Sequence, residues 1–258
     1  IALVNNVAPA HLERMGSLLE IANTKAAVYD DLSTDGVAAI NADDAFAPYF
    51  AERAHGHRLI RFGLEATADV SAREIALDTE GSRFVLVTPQ GEAQIALAMP
   101  GRHNVLNALA AASLALGADI ALPTIAAGLN AAQPVAGRLN THRLADGTTL
   151  IDDSYNANPG SLKAAIETLA ASGGTHWLVL GDMRELGEDS ASLHAEVGRR
   201  AKAAGIARMY ALGELSATAA AAFGEGGRVF ESHEALADAL RMDLAAFVGG
   251  ASAPKTAD

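Results

Sequence analysis

Between residues 159 and 240 the chain repeats one alternation: helical stretches near Pro159, at about 190–204, at about 215–223 and in "HEALADAL", separated by the apolar runs "HWLVLG", "RMYALG" and "RVF". Strands joined by helices of this length return in the same direction, so the spacing predicts parallel βαβ units. In such sheets ligands gather beyond the carboxyl ends of the strands. Asp152 and Asp153, in the polar stretch "IDDSYNANPGS", and Asp182 and Glu185, in "LGDMRELGEDS", are therefore expected on one rim. For Asp182 and Glu185 the plainer role is turn formation and complementing a helix N-terminus.

The earlier half is less regular. Residues 2–5 read as a strand, Pro9 marks a helix start, and 17–28 reads as a helix with Leu18, Ile21, Ala22 and Lys25 on one face. "GVAAINADD" reads as a strand ending in Asn41, Asp43 and Asp44, and "RFVLVTPQGEAQIALAMP" as a hairpin about Pro-Gln-Gly. "GRHNVLNALAAASLALG" is a helix closing on Gly117, followed by a shorter one at about 123–131. "AAQPVAGRLNTH" is the best linker, and a second hairpin turns at Asp146-Gly147. The predicted architecture is α/β, in two domains spanning 1–136 and 137–258.

Composition narrows the function. Acidic residues outnumber basic ones 31 to 19, giving a net charge of −12, and no basic block occurs. A nucleic-acid or membrane-surface binder needs a cationic face, so neither partner is expected. The absence of cysteine excludes disulfides, thiolate metal sites and thiol nucleophiles, and suits a reducing cytoplasm. No apolar run reaches the roughly 20 residues of a membrane span. The 258 residues contain no G-x-x-x-x-G-K-[ST] loop, no G-x-G-x-x-G fingerprint and no G-x-S-x-G elbow.

Individual side chains carry further chemistry. Asn104 and Asn107 stand at i and i+3 in a first helical turn, so they share a face. A primary amide offers one donor end and one acceptor end, which suits a purine edge. The plainer reading makes Asn104 a helix cap and Asn107 a solvated position. Lys25 on an apolar face is unusual, because a buried ammonium is costly unless paired or chemically altered; the alternative is a stem that snorkels to water. His11 is a lone histidine. "AHGHR" at 54–58 reads as a solvated loop rather than a metal patch.

Five motifs, "NNVAPAHLE", "PGRHNVLNALAA", "PVAGRL", "DDSYNANPGS" and "LGDMRELG", in this order and at these separations, resemble the Mur ligases of bacterial cell-wall synthesis over almost the whole chain. The resemblance implies the later part of a central ATPase domain followed by most of a Rossmann-like C-terminal domain. The UDP-sugar domain, the phosphate loop and a magnesium-holding glutamate are expected upstream of Ile1, and a closing segment after about residue 248. The last two motifs resemble most the member that joins D-alanyl-D-alanine to UDP-N-acetylmuramoyl-tripeptide, using ATP and Mg2+, through an acyl phosphate. On that reading the 258 residues alone are expected to be inactive. A sister ligase adding another amino acid, and a non-catalytic binding module of the same fold, are the alternatives.

The resemblance also implies residue roles. His11 matches a histidine near the second magnesium, and Lys25 a carbamylated lysine, a catalytic and metal-holding pair. Ala26-Ala27 after Lys25 departs from the family pattern of a small residue and then Glu. Asn104 and Asn107 match the adenine-contacting amides, Arg138 an arginine that reaches the nucleotide, and Asp153 an aspartate beside ribose and phosphates. Tyr155, Asn156 and Asn158 are expected at the mouth of that cleft, and Asp182 and Glu185 near the incoming dipeptide amine.

Overall fold

A computed structural model describes residues 1–8, 16–78, 80–138 and 140–251. Pro9 and His11 lie outside the described residues. The chain divides into two compact units, Ile1–Asn140 and Thr141–Asp258.

The first unit opens with β1 (Ala2–Val4), α1 (Leu18–Asp30), β2 (Val37–Asn41), α2 (Ala47–Arg53) and β3 (Arg58–Phe62). The strands form a parallel sheet in the order β1-β2-β3, with Val4 opposite Ile40 and Asn41 opposite Phe62. Every residue of β2 is buried, as a central strand covered on both faces requires. On one face lie Ala22, Ala26, Tyr29 and Phe50 of α1 and α2. On the other lies α3 (Arg102–Gly117), whose Val105, Leu109, Ala112 and Leu116 share a core with Val37, Ile60 and Phe62.

That core continues through Phe84, Leu86, Ile95 and Leu97 into an antiparallel sheet of β4 (Ser71–Leu77), β5 (Ser82–Thr88) and β6 (Gly91–Leu97). The expected hairpin about Pro89-Gln90 is β5–β6, and α4 (Leu122–Ala131) covers β6. α2, β3 and β4 had no counterpart in the sequence reading.

Tyr29 fixes α1 against the sheet. Its hydroxyl accepts from the Val4 amide at 3.0 Å and donates to the Ala39 carbonyl at 2.9 Å, tying the helix to two strands at once. Burial pushes this phenol up to about 12, so it stays neutral. Lys25 sits one helical turn earlier, roughly 5.4 Å along the axis. That step matches roughly two residues of strand, and its Nζ lands on the Asn6 carbonyl at 2.8 Å.

β7 (Asn140–Arg143), which begins on the last residue of the first unit, and β8 (Thr149–Asp152) form a two-stranded sheet. The turn comes at Asp146-Gly147 as expected, where Gly147 adopts φ 85° and the Asp146 carboxylate accepts from the Thr148 amide. Next come α5 (Pro159–Ala171), β9 (Trp177–Gly181), α6 (Ser190–Ala203), β10 (Arg208–Leu212), α7 (Glu214–Phe223), β11 (Gly227–Phe230) and α8 (His233–Ala251). β11-β10-β9 is a parallel sheet, which is the predicted βαβ alternation. Leu162, Ile166, Leu180, Val197, Met209 and Phe223 fill its core. Among the described residues no helix is long and apolar enough to cross a membrane.

Candidate functional site

The polar residues of the first unit converge where β1 and β2 end. Asn41, at the end of β2, is 4% exposed yet fully used. Its Nδ2 donates to the Asn5 carbonyl at 2.9 Å and its Oδ1 accepts from the Asp43 amide at 3.0 Å. Asp43 then accepts from three successive amides, Leu64 at 2.6 Å, Glu65 at 3.1 Å and Ala66 at 2.8 Å. A side chain on Gly63 would meet that carboxylate at 2.8 Å. Asp44 accepts from Val7 at 2.7 Å and Phe46 at 2.8 Å. These carboxylates hold the loops leaving β1, β2 and β3, and so shape the rim.

Lys25 corrects one expectation. It is an exposed residue, and the buried face of α1 is made instead by Ile21, Ala22, Ala26 and Tyr29. Leu18 is likewise 39% exposed. Tyr29 sets the helix rotation, which leaves Lys25 at the edge of the buried stripe with its stem laid toward Asn6. Partial desolvation lowers its pKa, with the Asp44 carboxylate pulling the other way.

The amides at the start of α3 are also more constrained than a cap and a solvated position. The N-cap is Gly101 at φ 95°, with no side-chain capping bond. Asn104 instead donates Nδ2 to the Pro100 carbonyl at 2.7 Å. Asn107, which is exposed, donates to Asn104 Oδ1 at 3.3 Å and accepts from Asn5 Nδ2 at 2.9 Å. Asn5 was not singled out from the sequence. It lies 102 residues from Asn107, and no local pattern joins them. Arg138 is exposed, its amide bonded to the Val135 carbonyl at 3.0 Å.

Among the described residues no group of three or more His, Asp or Glu side chains could hold a metal ion. His55 is exposed, but His57 is half-buried, and its Nδ1 is buried without a hydrogen-bond partner. The sequence reading of both as solvated holds for the first only.

In the second unit the common rim is not formed by strand pairing. The tight turn commits β8 to β7, whereas Asp182 follows β9 in the other sheet. Asp152 folds back locally: its Oδ1 accepts from the Ser154 amide at 3.0 Å, and the Ser154 hydroxyl and amide hold its carboxyl below the usual range. Asp153 is half-buried, and Tyr155 and Asn156 are exposed. Asn158 starts α5. Its Oδ1 accepts from the Ser161 amide at 2.9 Å, and the Ser161 hydroxyl accepts from the Asn158 amide at 3.0 Å. This reciprocal capping box engages the Asn158 side-chain oxygen at the start of α5.

Asp182 takes the structural role weighed for it, at the helix after next. Its Oδ1 accepts from the Ser216 amide and hydroxyl, both at 2.7 Å, and so caps α7. Burial alone raises this carboxyl, but the Ser216 hydroxyl and amide and the Leu215 amide outweigh it, and the net direction is downward. Gly213 makes room at φ 117°, since a Cβ there would lie 2.3 Å from Asp182 Oδ1. His194, fully buried, accepts at Nε2 from the Met183 amide at 3.0 Å, while Nδ1 faces the Ser190 carbonyl at 2.7 Å. A carbonyl only accepts, so Nδ1 carries the proton and the ring is held in one neutral tautomer. Through this ring α6 holds the loop carrying Glu185, which sits at φ 60°.

Residues 1–115 match the family described as "Mur ligase middle domain", and residues 137–248 the one described as "Mur ligase, glutamate ligase domain". The UDP-N-acetylmuramoyl-tripeptide–D-alanyl-D-alanine ligase of Escherichia coli is 41% identical over 245 residues, covering 95% of this chain and 54% of that protein. A crystal structure of MurF from Acinetobacter baumannii superposes with a TM-score of 0.89 at 34% identity, over 95% of this chain and 53% of the other. A MurF ligase from Thermotoga maritima, solved in complex with ADP, shares the fold with a TM-score of 0.80 at 23% identity, over 95% of this chain and 55% of the other. The chain thus spans about half the length of the relatives it matches.

Proposed function

The chain belongs to the Mur ligase family, and on that footing we propose that the full-length protein carrying it joins D-alanyl-D-alanine to UDP-N-acetylmuramoyl-tripeptide at the expense of ATP. The observation that carries this reading is the 41% identity, over 95% of the chain, to the E. coli enzyme of that name. The reaction needs an activated acid, because a carboxylate has only oxide to lose. Phosphorylation of the tripeptide carboxylate by ATP gives an acyl phosphate. The dipeptide amine adds to its carbonyl carbon, and the tetrahedral adduct collapses with phosphate leaving and the amine proton passing to solvent.

The residues take the following parts in this proposal. Asn107 presents its exposed amide to the adenine edge, with Asn104 behind it. Arg138 and Asp153 serve the same nucleotide, and Tyr155, Asn156, Asn158 and Glu185 border the substrate; Asp182 acts by fixing α7. Magnesium, when bound, neutralises the charge gathering on the transferred oxygens. Such a hard ion takes oxygen ligands, and a carbamate on Lys25 would supply them. His11 is assigned to the second magnesium on family likeness alone. The proposed location is the cytoplasm, with which the cysteine-free composition is in keeping.

The test is ADP release by the purified full-length protein with ATP and the UDP-linked tripeptide, offering D-alanyl-D-alanine, glutamate or diaminopimelate in turn. Release that depends on D-alanyl-D-alanine is expected. A preference for another amine assigns the chain to a sister ligase, and no turnover with any amine makes it a binding module. The 258-residue chain, lacking a phosphate loop, is expected to release no ADP in the same assay.

A further inference from the structure

We infer that Asn5 is a specificity-determining positioning residue: through a one-way chain of three amides it fixes which end of the Asn107 side chain accepts and which donates, and so makes the site select adenine. The inference rests on the nucleotide reading above. Its basis is the polarity of the chain. The Pro100 carbonyl only accepts, so Asn104 must turn Nδ2 toward it, at 2.7 Å. Asn104 Oδ1 then faces Asn107 and accepts from Nδ2 at 3.3 Å. Asn107 Oδ1 is left facing Asn5, whose Nδ2 donates at 2.9 Å. Reversing any one amide opposes two oxygens or two N–H groups. The series therefore has a single satisfied orientation, begun at the Pro100 carbonyl and completed by Asn5, whose donor holds Asn107 Oδ1.

Asn5 is held for this task. Its backbone carbonyl accepts from the buried Asn41 at 2.9 Å, and its own Oδ1 is buried with no partner. An unpaired buried carbonyl is costly. The opposite rotamer would set oxygen against oxygen at Asn107, so the relay holds the Asn5 amide in this orientation. Asn107, an exposed residue, keeps one N–H and one oxygen lone pair that these bonds do not use. An amide so disposed matches adenine, whose N7 accepts and whose N6 donates. Hypoxanthine presents two acceptors on the same edge, and the fixed Asn107 oxygen opposes one of them.

Asn5→Asp removes the donor and places an acceptor against Asn107 Oδ1. Steady-state kinetics of the full-length protein with ATP and with ITP read the effect. Both nucleotides carry the same triphosphate, so any disturbance around the phosphates or magnesium cancels in the ratio. The wild type is expected to favour ATP, and Asn5→Asp to lower that preference by about tenfold, mainly by raising KM for ATP. Asn5→Ala, which removes the donor without adding charge, should lower it less, and it serves as the readout should the aspartate variant not fold. Equal changes for ATP and ITP in both variants, or no change, would overturn the role of Asn5 while leaving the nucleotide reading intact. A wild type indifferent to the base would overturn both.

Discussion

Replacing Gly198 with alanine is expected to destabilise the second unit by about 2 kcal/mol, although alanine is the better helix former. Gly198 is a buried residue in the middle of α6, where glycine ordinarily costs about 1 kcal/mol relative to alanine. The position is held by close approach of α7. A Cβ built on Gly198 would lie 2.0 Å from the carbonyl oxygen of Ala219 and 2.8 Å from its carbonyl carbon. Those are backbone atoms in a helix and cannot swing aside, so α6 and α7 must separate. Separation opens the core that Val197, Ala201, Ala219, Ala220 and Phe223 share. Overpacking of this kind costs about 3 kcal/mol, which outweighs the propensity gain.

Thermal melts of the 258-residue chain should show the transition of the second unit lowered by on the order of 10 °C. Gly128, in α4, is the control, because nothing lies within 4 Å of a Cβ built there. Gly128→Ala should leave the first unit as stable or add up to about 1 kcal/mol. If the two substitutions have the same sign, the helix contact described for α6 and α7 is wrong.

The second large effect belongs to Lys25. Exchanging it for alanine or arginine in the full-length protein is expected to lower kcat by on the order of a hundredfold. Carbamylation requires a free amine: the nitrogen lone pair bonds the carbon of CO2, a proton leaves to water, and a carbamate anion remains. An ammonium has no lone pair to offer. The lowered pKa of Lys25 enlarges the reactive fraction, and the cause is desolvation beside the end of β1, with Asp44 opposing it. The Asn6 carbonyl that now accepts from Nζ at 2.8 Å can still accept from the carbamate N–H. Arginine keeps the positive charge but stays protonated, so it separates a need for charge from a need for the carbamate. Intact mass of the wild type under CO2 should show one added CO2 that Lys25→Arg lacks. An arginine variant of full activity would remove the carbamate from the reaction.

The second unit was largely legible in the sequence because its order is local. Each strand is a short apolar run, and Pro159 marks a helix start before any tertiary contact is known. α2, β3 and β4 were missed for the opposite reason. β4 presents mostly exposed residues, and its register shifts between Arg73 and Ala76, where Glu74 takes φ 55°. β3 begins inside a stretch whose histidines and arginines resemble a loop.

At the site, spacing alone put Asn104 and Asn107 on one face, and structure added their directions. The link to Asn5 spans too much chain for any periodicity to reveal. Lys25 shows the limit of helical counting: four residues after Ile21 it falls beside the buried stripe, and Tyr29 decides on which side of that edge it stands.

A crystal structure of the full-length protein with a non-hydrolysable ATP analogue would settle where the base lies. The predicted result is an adenine whose N6 and N7 sit within hydrogen-bond distance of the Asn107 amide, with Asn5 Nδ2 still on Asn107 Oδ1. A base bound elsewhere, with Asn104 and Asn107 untouched by it, would contradict the nucleotide site proposed for the first unit.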